Sequence, residues 1–199
     1  MVNFLETGDG LYQVFIMETG RVQKMKRILS RLLPPGIQIL PFSKAPPQAP
    51  LLLIIPECGR IPENFSIPSS ATIIVSSEEQ HQLLALAGTS ARVITCGYGY
   101  KDTVTVSSSQ DDCVVVSLLR SFQGKENVVE PLDLPLHARP SDDAYPLLAG
   151  AATMLYFQLA DPQNLKISSY NLSCSAHNTK ANANKFKSIK NIKECKNYV

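Results

Sequence analysis

The 199-residue sequence contains no tryptophan, and aromatic residues make up only 7% of it. It also lacks any run of about 20 apolar residues, so we predict no helix that crosses a bilayer. The apolar run at residues 11–17 follows acidic residues and has no basic n-region, unlike a secretory signal. With 44% hydrophobic residues the chain can nevertheless bury a core, which excludes a wholly disordered protein.

Closely spaced cysteines are also missing. The five cysteines include no CxxC pair and are spread along the chain as Cys58, Cys96, Cys113, Cys174 and Cys195. A structural zinc site needs ligands at short spacings, and a disulfide-stabilised secreted domain needs a higher cysteine density. Cys96 and Cys113 lie in apolar runs, where a reduced cysteine acts as a small core residue. We therefore expect no metal site and a reducing, cytoplasmic location.

Acidic residues are nearly absent from the C-terminal segment. Residues 162–199 contain seven lysines and one acid, Glu194, whereas residues 1–161 carry a net charge of −4. The segment is rich in Asn, Ser and Lys, which predicts a flexible basic tail rather than a folded unit. Its lysines, interspersed with Phe186 and Tyr198, leave nucleic-acid binding open as an alternative to a solubilising role.

Residues 21–36 predict a basic amphipathic helix and its end. The apolar positions recur at steps of three and four residues and share one face: Val22, Met25, Leu29, Leu32 and Leu33. Basic side chains occupy the remainder, and Pro34-Pro35-Gly36 ends the helix. We favour a helix that covers the domain with a solvated basic face. A membrane surface or a nucleic acid is the alternative partner for that face.

The middle of the chain predicts a βαβ unit. Continuous apolar runs at residues 51–56, 71–77 and 91–97 suit strands buried on both faces of a sheet. Between the last two runs we predict a helix with Ser77 as its N-cap and Gly88 at its exit, and with a buried stripe of Leu83, Leu84 and Ala87. A strand, a short helix and another strand imply parallel, right-handed pairing.

The pattern then changes to short β segments and a final helix. Residues 102–109, 111–125 and 127–136 are β-rich and joined by connections too short for crossover helices, so we expect antiparallel pairing. Pro131 and Pro135 confine the last strand to a sheet edge or a bulge. The small and apolar residues that follow predict a core helix over residues 144–160, capped by Ser141 or Asp142.

No catalytic constellation stands out. His81 is expected on the polar face of its helix and His137 after a strand, and spacing ties no nucleophile to either. The serines at 107–109 lack the strand-to-helix elbow of a hydrolase nucleophile. We therefore assign no catalytic residue.

Paired acids and paired glycines have structural explanations. The acidic pairs at 111–112 and 142–143 stand at a turn and at a helix start, where carboxylates serve as caps. Gly97-Tyr98-Gly99-Tyr100 lacks the third glycine and the following helix of a phosphate-binding loop, so we predict a tight turn between strands. No metal ligand is assigned, and cofactor-binding residues stay open.

The order of elements resembles part of a known family. ATIIVSSEEQHQLLALAGTSARVITCGYGYKDTVTV, residues 71–106, is similar to the latter half of the ATP-dependent central domain of the Mur ligases. Val93-Ile94-Thr95-Cys96-Gly97 matches the family's strand, with Cys96 in an aromatic position, and Leu148-Ala149-Gly150-Ala151-Ala152 resembles its small-residue helix. The resemblance covers about residues 50–160. It implies an α/β nucleotide-binding scaffold related to enzymes that join amino acids to UDP-linked muropeptides.

The sequence departs from that family where ATP chemistry is performed. No G-x-x-x-x-G-K-[ST] occurs, and Lys125, although it follows Gly124, lacks the upstream glycine and the hydroxyl residue. The family's magnesium-binding Glu and its Asp-His pair are not found near residues 58–64, and residues 139–142 replace its adenine-side Asn. The 39 residues after Ala160 are too few for the family's third domain. The resemblance therefore implies a scaffold that does not hydrolyse ATP.

These observations predict an α/β fold: a small parallel βαβ sheet with flanking helices and an antiparallel β extension. We expect an N-terminal extension at residues 1–24, one domain at 25–160 and the tail at 161–199. The favoured function is a non-catalytic Mur-ligase-like binding or scaffolding domain without a cofactor, acting with a protein partner or as a homo-oligomer. The alternatives are one part of a split ATP-dependent amide ligase, which would need a partner chain, and a nucleic-acid-associated protein.

Overall fold

The computed structural model describes residues 12–45, 51–62, 65–110, 113–137 and 143–159. They form an eight-stranded sheet, a two-stranded sheet and three α-helices. The strands of the large sheet are β1 (Tyr12–Ile16), β2 (Ile37–Pro41), β3 (Leu52–Ile54), β4 (Thr72–Ser76), β5 (Arg92–Gly97), β6 (Val104–Gln110), β7 (Cys113–Leu118) and β10 (Leu132–His137). The small sheet pairs β8 (Phe122–Gln123) with β9 (Val128–Val129), and the helices are α1 (Val22–Leu32), α2 (Gln80–Leu86) and α3 (Ala144–Tyr156).

The large sheet is mostly parallel. Its strand order is β10-β7-β6-β5-β4-β3-β1-β2. Strands β1 to β6 pair in parallel, and β7 pairs antiparallel with both β6 and β10. The predicted fold class, a parallel α/β sheet with an antiparallel extension, is therefore confirmed. The order 2-1-3-4-5 within it is one of the two common doubly wound arrangements.

The first strand of the sheet lies inside the segment that the sequence assigned to an N-terminal extension. β1 pairs with β2 on one side and β3 on the other, and its Val14 and Ile16 are fully buried. Residues 12–24 therefore contribute a central strand and the start of α1. The sequence pattern did not predict this strand because its apolar run is short and includes the polar Gln13. Residues 1–11 and the predicted tail, 161–199, lie outside the described residues.

The connection from β5 to β6, predicted as a tight turn, joins two parallel strands. β6 runs parallel to β5, with Cys96 opposite Val104 and Gly97 opposite Thr105. This is possible without a crossover helix because β6 begins level with the end of β5 and continues the sheet beyond it. The expected antiparallel pairing is confirmed for β6 with β7 and for β7 with β10, and β10 forms a sheet edge as its prolines predicted.

Side chains alternate between two buried faces, as the continuous apolar runs predicted. Ile74 of β4 faces the core under α1 and α3, and its neighbours Ile73 and Val75 face the core under α2. α3 is buried over every residue from Tyr145 to Tyr156, which confirms the predicted core helix. Its N-cap is Asp143, and residues 141–142 lie outside the described part of the chain.

α2 is rotated relative to the sequence-based expectation. Gln82 and Leu86 are its buried residues, whereas Leu84, predicted in the buried stripe, is 68% exposed. Ser77 is not the N-cap, because the helix begins after Glu79. The polar Gln82 thus lies on the buried face of α2, where hydrophobic periodicity had placed Leu84.

The described cysteines fall into two classes. Cys96 is buried and reduced, as expected, and Cys58 is also reduced. Cys113 is disulfide-bonded, so the expectation of a reduced core cysteine was wrong for this residue, which is only partly buried at the start of β7. Within the described ranges, none of the helices has the length and hydropathy that crossing a bilayer requires.

Candidate functional site

The carboxyl end of the sheet holds the position where doubly wound folds bind ligands. After β1 the chain crosses to β2 on one side, and after β3 it crosses to β4 on the other. Ligands of such sheets lie in the crevice that this change of direction opens outside the strand ends. The relevant connections are residues 17–21 and residues 55–60. Their geometry decides whether a crevice is present.

The two connections are packed against each other. The Arg21 N–H donates to the carbonyl oxygen of Glu57 over 2.9 Å, and the Met17 N–H donates to that of Ile54 over the same distance. Gly20, at φ 63°, lies so close to the second connection that a Cβ there would overlap the backbone of Glu57 and Gly59. Only glycine accepts both this φ and this approach. The space expected for a ligand is therefore occupied by the protein's own backbone.

Side chains of α2 hold the second connection from the other face. The Gln82 Nε2 group donates to the carbonyl oxygens of Pro56 and Gly59, each over 2.9 Å. The Glu79 carboxylate accepts a 2.8 Å hydrogen bond from the backbone N–H of Cys58, which sits at φ 56°. His81 adds an Nε2 contact of 3.0 Å to the Gly59 oxygen. These bonds satisfy buried carbonyls and fix the turn after β3.

Residues from the start of α3 close the site from a third direction. The Tyr145 hydroxyl lies 2.6 Å from the Ile55 carbonyl oxygen and 3.2 Å from that of Ile74, so it can donate its proton to either. Burial raises the pKa of this hydroxyl, which keeps it neutral and a donor. Lys24 of α1 forms an ion pair with Asp143 at the N-cap of α3. Together these contacts join α1, α3 and the strand ends.

What remains at the surface is a shallow recess rather than a pocket. It does not admit a water-sized sphere and is lined by Arg21, Lys24, Met25, Glu57 and Pro146. Burial raises the pKa of the Glu57 carboxyl, and the carboxylate of Asp143 raises it further, whereas Arg21 opposes both effects. The recess therefore holds the Glu57 carboxylate beside two cations, Arg21 and Lys24, without volume for a ligand.

Glu57→Gln is expected to stabilise the protein slightly at neutral pH. Because the pKa of Glu57 is raised on folding, the ionised carboxylate is disfavoured in the folded state. Wild-type stability from this group is complete below the unfolded-state pKa and is lost as pH rises through the folded-state value. The glutamine variant does not titrate, so its advantage, under about 1 kcal/mol for this partly exposed group, should disappear near about pH 4.

Urea denaturation at neutral and acidic pH measures this difference in the free energy of unfolding. Glu126→Gln, at an exposed hairpin position, removes the same charge elsewhere and corrects for net charge. An advantage for Glu57→Gln that grows toward low pH would contradict the assignment.

The residues singled out in the sequence are placed apart from one another. The Gly97–Tyr100 stretch joins β5 to β6, and Ser107 donates its hydroxyl to the Val115 carbonyl oxygen within the sheet. His81 contacts Glu79 and Gly59, whereas His137 is the last residue of β10. The acidic pair at 111–112 lies outside the described residues. Among the described residues, no three His, Cys, Asp or Glu side chains are grouped closely enough to hold a metal ion.

Sequence reasoning missed the residues that close the site. Gln82 and Tyr145 bind carbonyls 23 to 90 positions away along the chain, and no local pattern signals such partners. Lys24 and Asp143 were seen as parts of a basic helix and an acidic pair, but not as each other's partner. The sequence contained one indirect signal of these contacts, which is Gln82 at a helical position flanked by apolar residues on one face.

Comparison with known proteins gives little beyond this geometry. No family model matches the sequence, and no curated protein matches it. Among solved structures, the chain is similar to MurF from Acinetobacter baumannii, with a TM-score of 0.42 and 12% identity. The similarity covers 78% of this chain and 44% of the MurF chain, so this chain spans less than half of that protein. The structural likeness is weak, and it leaves the chemistry of the chain open.

Proposed function

We propose that this chain is a non-catalytic, Mur-ligase-like binding or scaffolding domain. The observation that carries the proposal is the closed carboxyl end of the sheet, where Gly20 packs on the backbone of Glu57 and Gly59. The Mur-ligase part of the proposal rests on the sequence resemblance of residues 71–106. The non-catalytic part rests on the contacts at the strand ends.

A nucleoside triphosphate would need free donors at the first βα connection. Phosphate-binding loops present several backbone N–H groups and a helix N-terminus to the anion. Here the connection at residues 17–21 contains one glycine, and the Arg21 N–H is already bonded to the Glu57 oxygen. Glu57 and Asp143 add negative charge at this point, which repels phosphate. Lys24, the nearest lysine of α1, is held in its ion pair with Asp143.

Millimolar Mg·ATP is therefore expected to leave the Tm of the full chain unchanged and to release no inorganic phosphate. A ligand that binds the folded state at 100 times its Kd stabilises it by about 2.7 kcal/mol, so binding would be visible as a rise in Tm. Thermal denaturation and a phosphate-release assay measure both quantities on the same preparation.

Two lysine variants make a positive result interpretable. Lys24→Ala alters the recess, and Lys44→Ala removes an exposed lysine that follows β2. A saturable rise in Tm that Lys24→Ala abolishes and Lys44→Ala preserves would contradict the proposal, as would ATP turnover by the pure chain. A rise that survives in both variants would report non-specific binding and leave the non-catalytic assignment in place.

A further inference from the structure

The disulfide of Cys113 has a partner that can be found by elimination. Cys58 and Cys96 are reduced, so neither of them is bonded to Cys113. The sequence holds five cysteines, and the two that remain are Cys174 and Cys195. Both belong to residues 160–199, which we call the C-terminal segment. Within one chain, the disulfide therefore joins the start of β7 to the C-terminal segment.

Cys113 lies on the sheet face opposite to α1 and α3. Side chains alternate along β7, and Val114, Val116 and Leu118 belong to the core under α1 and α3. The Cys113 side chain is therefore directed to the other face. Among the described residues, the core under α2 includes none from β6, β7 or β10, so α2 does not cover this part of the sheet. Cys113 is only half-buried, and a second thiol can approach it there.

The C-terminal segment is long enough to reach Cys113. The ring of Phe157, which follows α3, lies 4.8 Å from the ring of Tyr12 at the start of β1. By the strand registers, Cys113 lies about twelve residues further along the strands and about five strand spacings to the side, or about 47 Å away. From Leu159, an extended chain spans about 50 Å to Cys174 and about 120 Å to Cys195. The second cysteine therefore reaches without a stretched path.

Charge also favours Cys195 as the partner. Cys113 directly follows two aspartates in the sequence, at positions 111 and 112. Cys195 has one lysine directly after it and another two positions before it, whereas Cys174 lies between two serines. Opposite charges beside the two thiols attract each other and raise the frequency with which Cys113 and Cys195 meet.

We propose that this disulfide is a redox-sensitive tether that holds the C-terminal segment on β7 through Cys113 and Cys195. A low-molecular-weight disulfide is the oxidant: one protein thiolate attacks it and releases one small thiol, and the second protein thiolate displaces the other. The two protein thiols lose two electrons and two protons, and the small disulfide becomes two thiols. A dithiol reverses the reaction and releases the segment with its seven lysines. The tether does not depend on the proposed function.

Peptide mapping of the full chain tests the proposal. After incubation with oxidised glutathione, the chain is denatured and alkylated without reduction and then digested with trypsin. The digest places Cys113 in peptide 102–120, Cys195 in peptide 194–196 and Cys174 in peptide 167–180. We expect 102–120 linked to 194–196, with the other three cysteines alkylated. After dithiothreitol treatment, the link should be lost and all five cysteines alkylated.

Two serine variants identify the bond on a non-reducing gel. The oxidised chain should migrate faster than the reduced chain, because the disulfide closes a loop. Cys195→Ser should abolish this difference and make Cys113 available for alkylation. Cys58→Ser is the matched control, because it removes a half-buried cysteine that is reduced in the structure, and it should keep the difference.

Each outcome supports or overturns the tether. A link between 102–120 and 194–196 in a monomeric chain supports it. A link between 102–120 and 167–180 supports the tether but overturns the choice of Cys195. Alkylation of all five cysteines at every ratio of oxidised to reduced glutathione overturns the proposal, as does a Cys113 disulfide that forms only between two chains.

Discussion

Gly20→Ala is expected to destabilise the protein by about 4 kcal/mol or more, among the largest effects of a single methyl group. Gly20 has φ 63°, where a side chain costs conformational energy, and its Cβ would overlap the carbonyl oxygen of Glu57. The atoms in the way are backbone, including the Cys58 carbonyl carbon at 2.7 Å, and they cannot rotate aside. Accommodating alanine would therefore require the connections at residues 17–21 and 55–60 to separate.

Substitutions at two other glycines separate the cost of steric overlap from the cost of conformational strain. No atom of the described residues lies within 4 Å of the position that a methyl group would take at Gly36, and its φ is not positive, so Gly36→Ala should change stability by less than about 0.5 kcal/mol. Gly88 has the same open surroundings but φ 107°, so Gly88→Ala should show conformational strain alone, about 1–3 kcal/mol. Urea unfolding of the three variants gives the comparison. If Gly20→Ala matched Gly36→Ala, the connections would be separated in solution and the crevice open.

Gln82→Leu is expected to cost about 1–3 kcal/mol, although leucine has a similar volume and suits a helix. The side chain is fully buried, and its Nε2 group is the donor for the carbonyl oxygens of Pro56 and Gly59. Leucine would remove one donor from each oxygen. The Pro56 oxygen would keep its 3.1 Å hydrogen bond from the Gly59 N–H and the Gly59 oxygen its His81 contact, and each lost hydrogen bond costs about 0.5–1.5 kcal/mol. The Gln82 Oε1 atom has no hydrogen-bond partner among the described residues, so removing this buried polar atom offsets part of the destabilisation.

Gln80→Leu provides the control for this substitution. Gln80 occupies the exposed first residue of α2, so the same chemical change there should alter stability by less than about 0.5 kcal/mol. Denaturant titration of both variants, read by far-UV circular dichroism, measures the difference. A neutral Gln82→Leu variant would mean that solvent reaches the two carbonyls and that α2 does not close the site.

Much of the sheet was predictable because its central strands are buried on both faces. β3, β4 and β5 read as continuous apolar runs, and that pattern is strong wherever polar residues are excluded from both sides. α1 and α3 were predictable from one apolar stripe and from unbroken small and apolar residues, respectively. Pro131 and Pro135 placed β10 at an edge because proline cannot donate to a neighbouring strand.

The features that sequence did not predict depend on partners distant in the chain. β1 is a strand because β2 and β3 flank it, and its own residues include the polar Gln13. The face of α2 is set by the carbonyls that Gln82 reaches, which outweigh the burial of Leu84. The contacts that close the candidate site were not predicted for the same reason. Each of them joins segments that are distant in the chain, whereas hydrophobic periodicity is read within one segment.

The position of α3 has a consequence for synthesis. This helix packs on the face of β4, β5 and β6 and carries no charged residue from Ala144 to Tyr156, yet it follows every described strand in chain order. While the ribosome is still making residues 113–143, α3 does not yet cover Ile74, Ile94 and Val104. A nascent chain at that stage exposes an apolar sheet face, which is the surface that holding chaperones bind. The chain can therefore be released by such chaperones only after α3, the last described helix, has been synthesised.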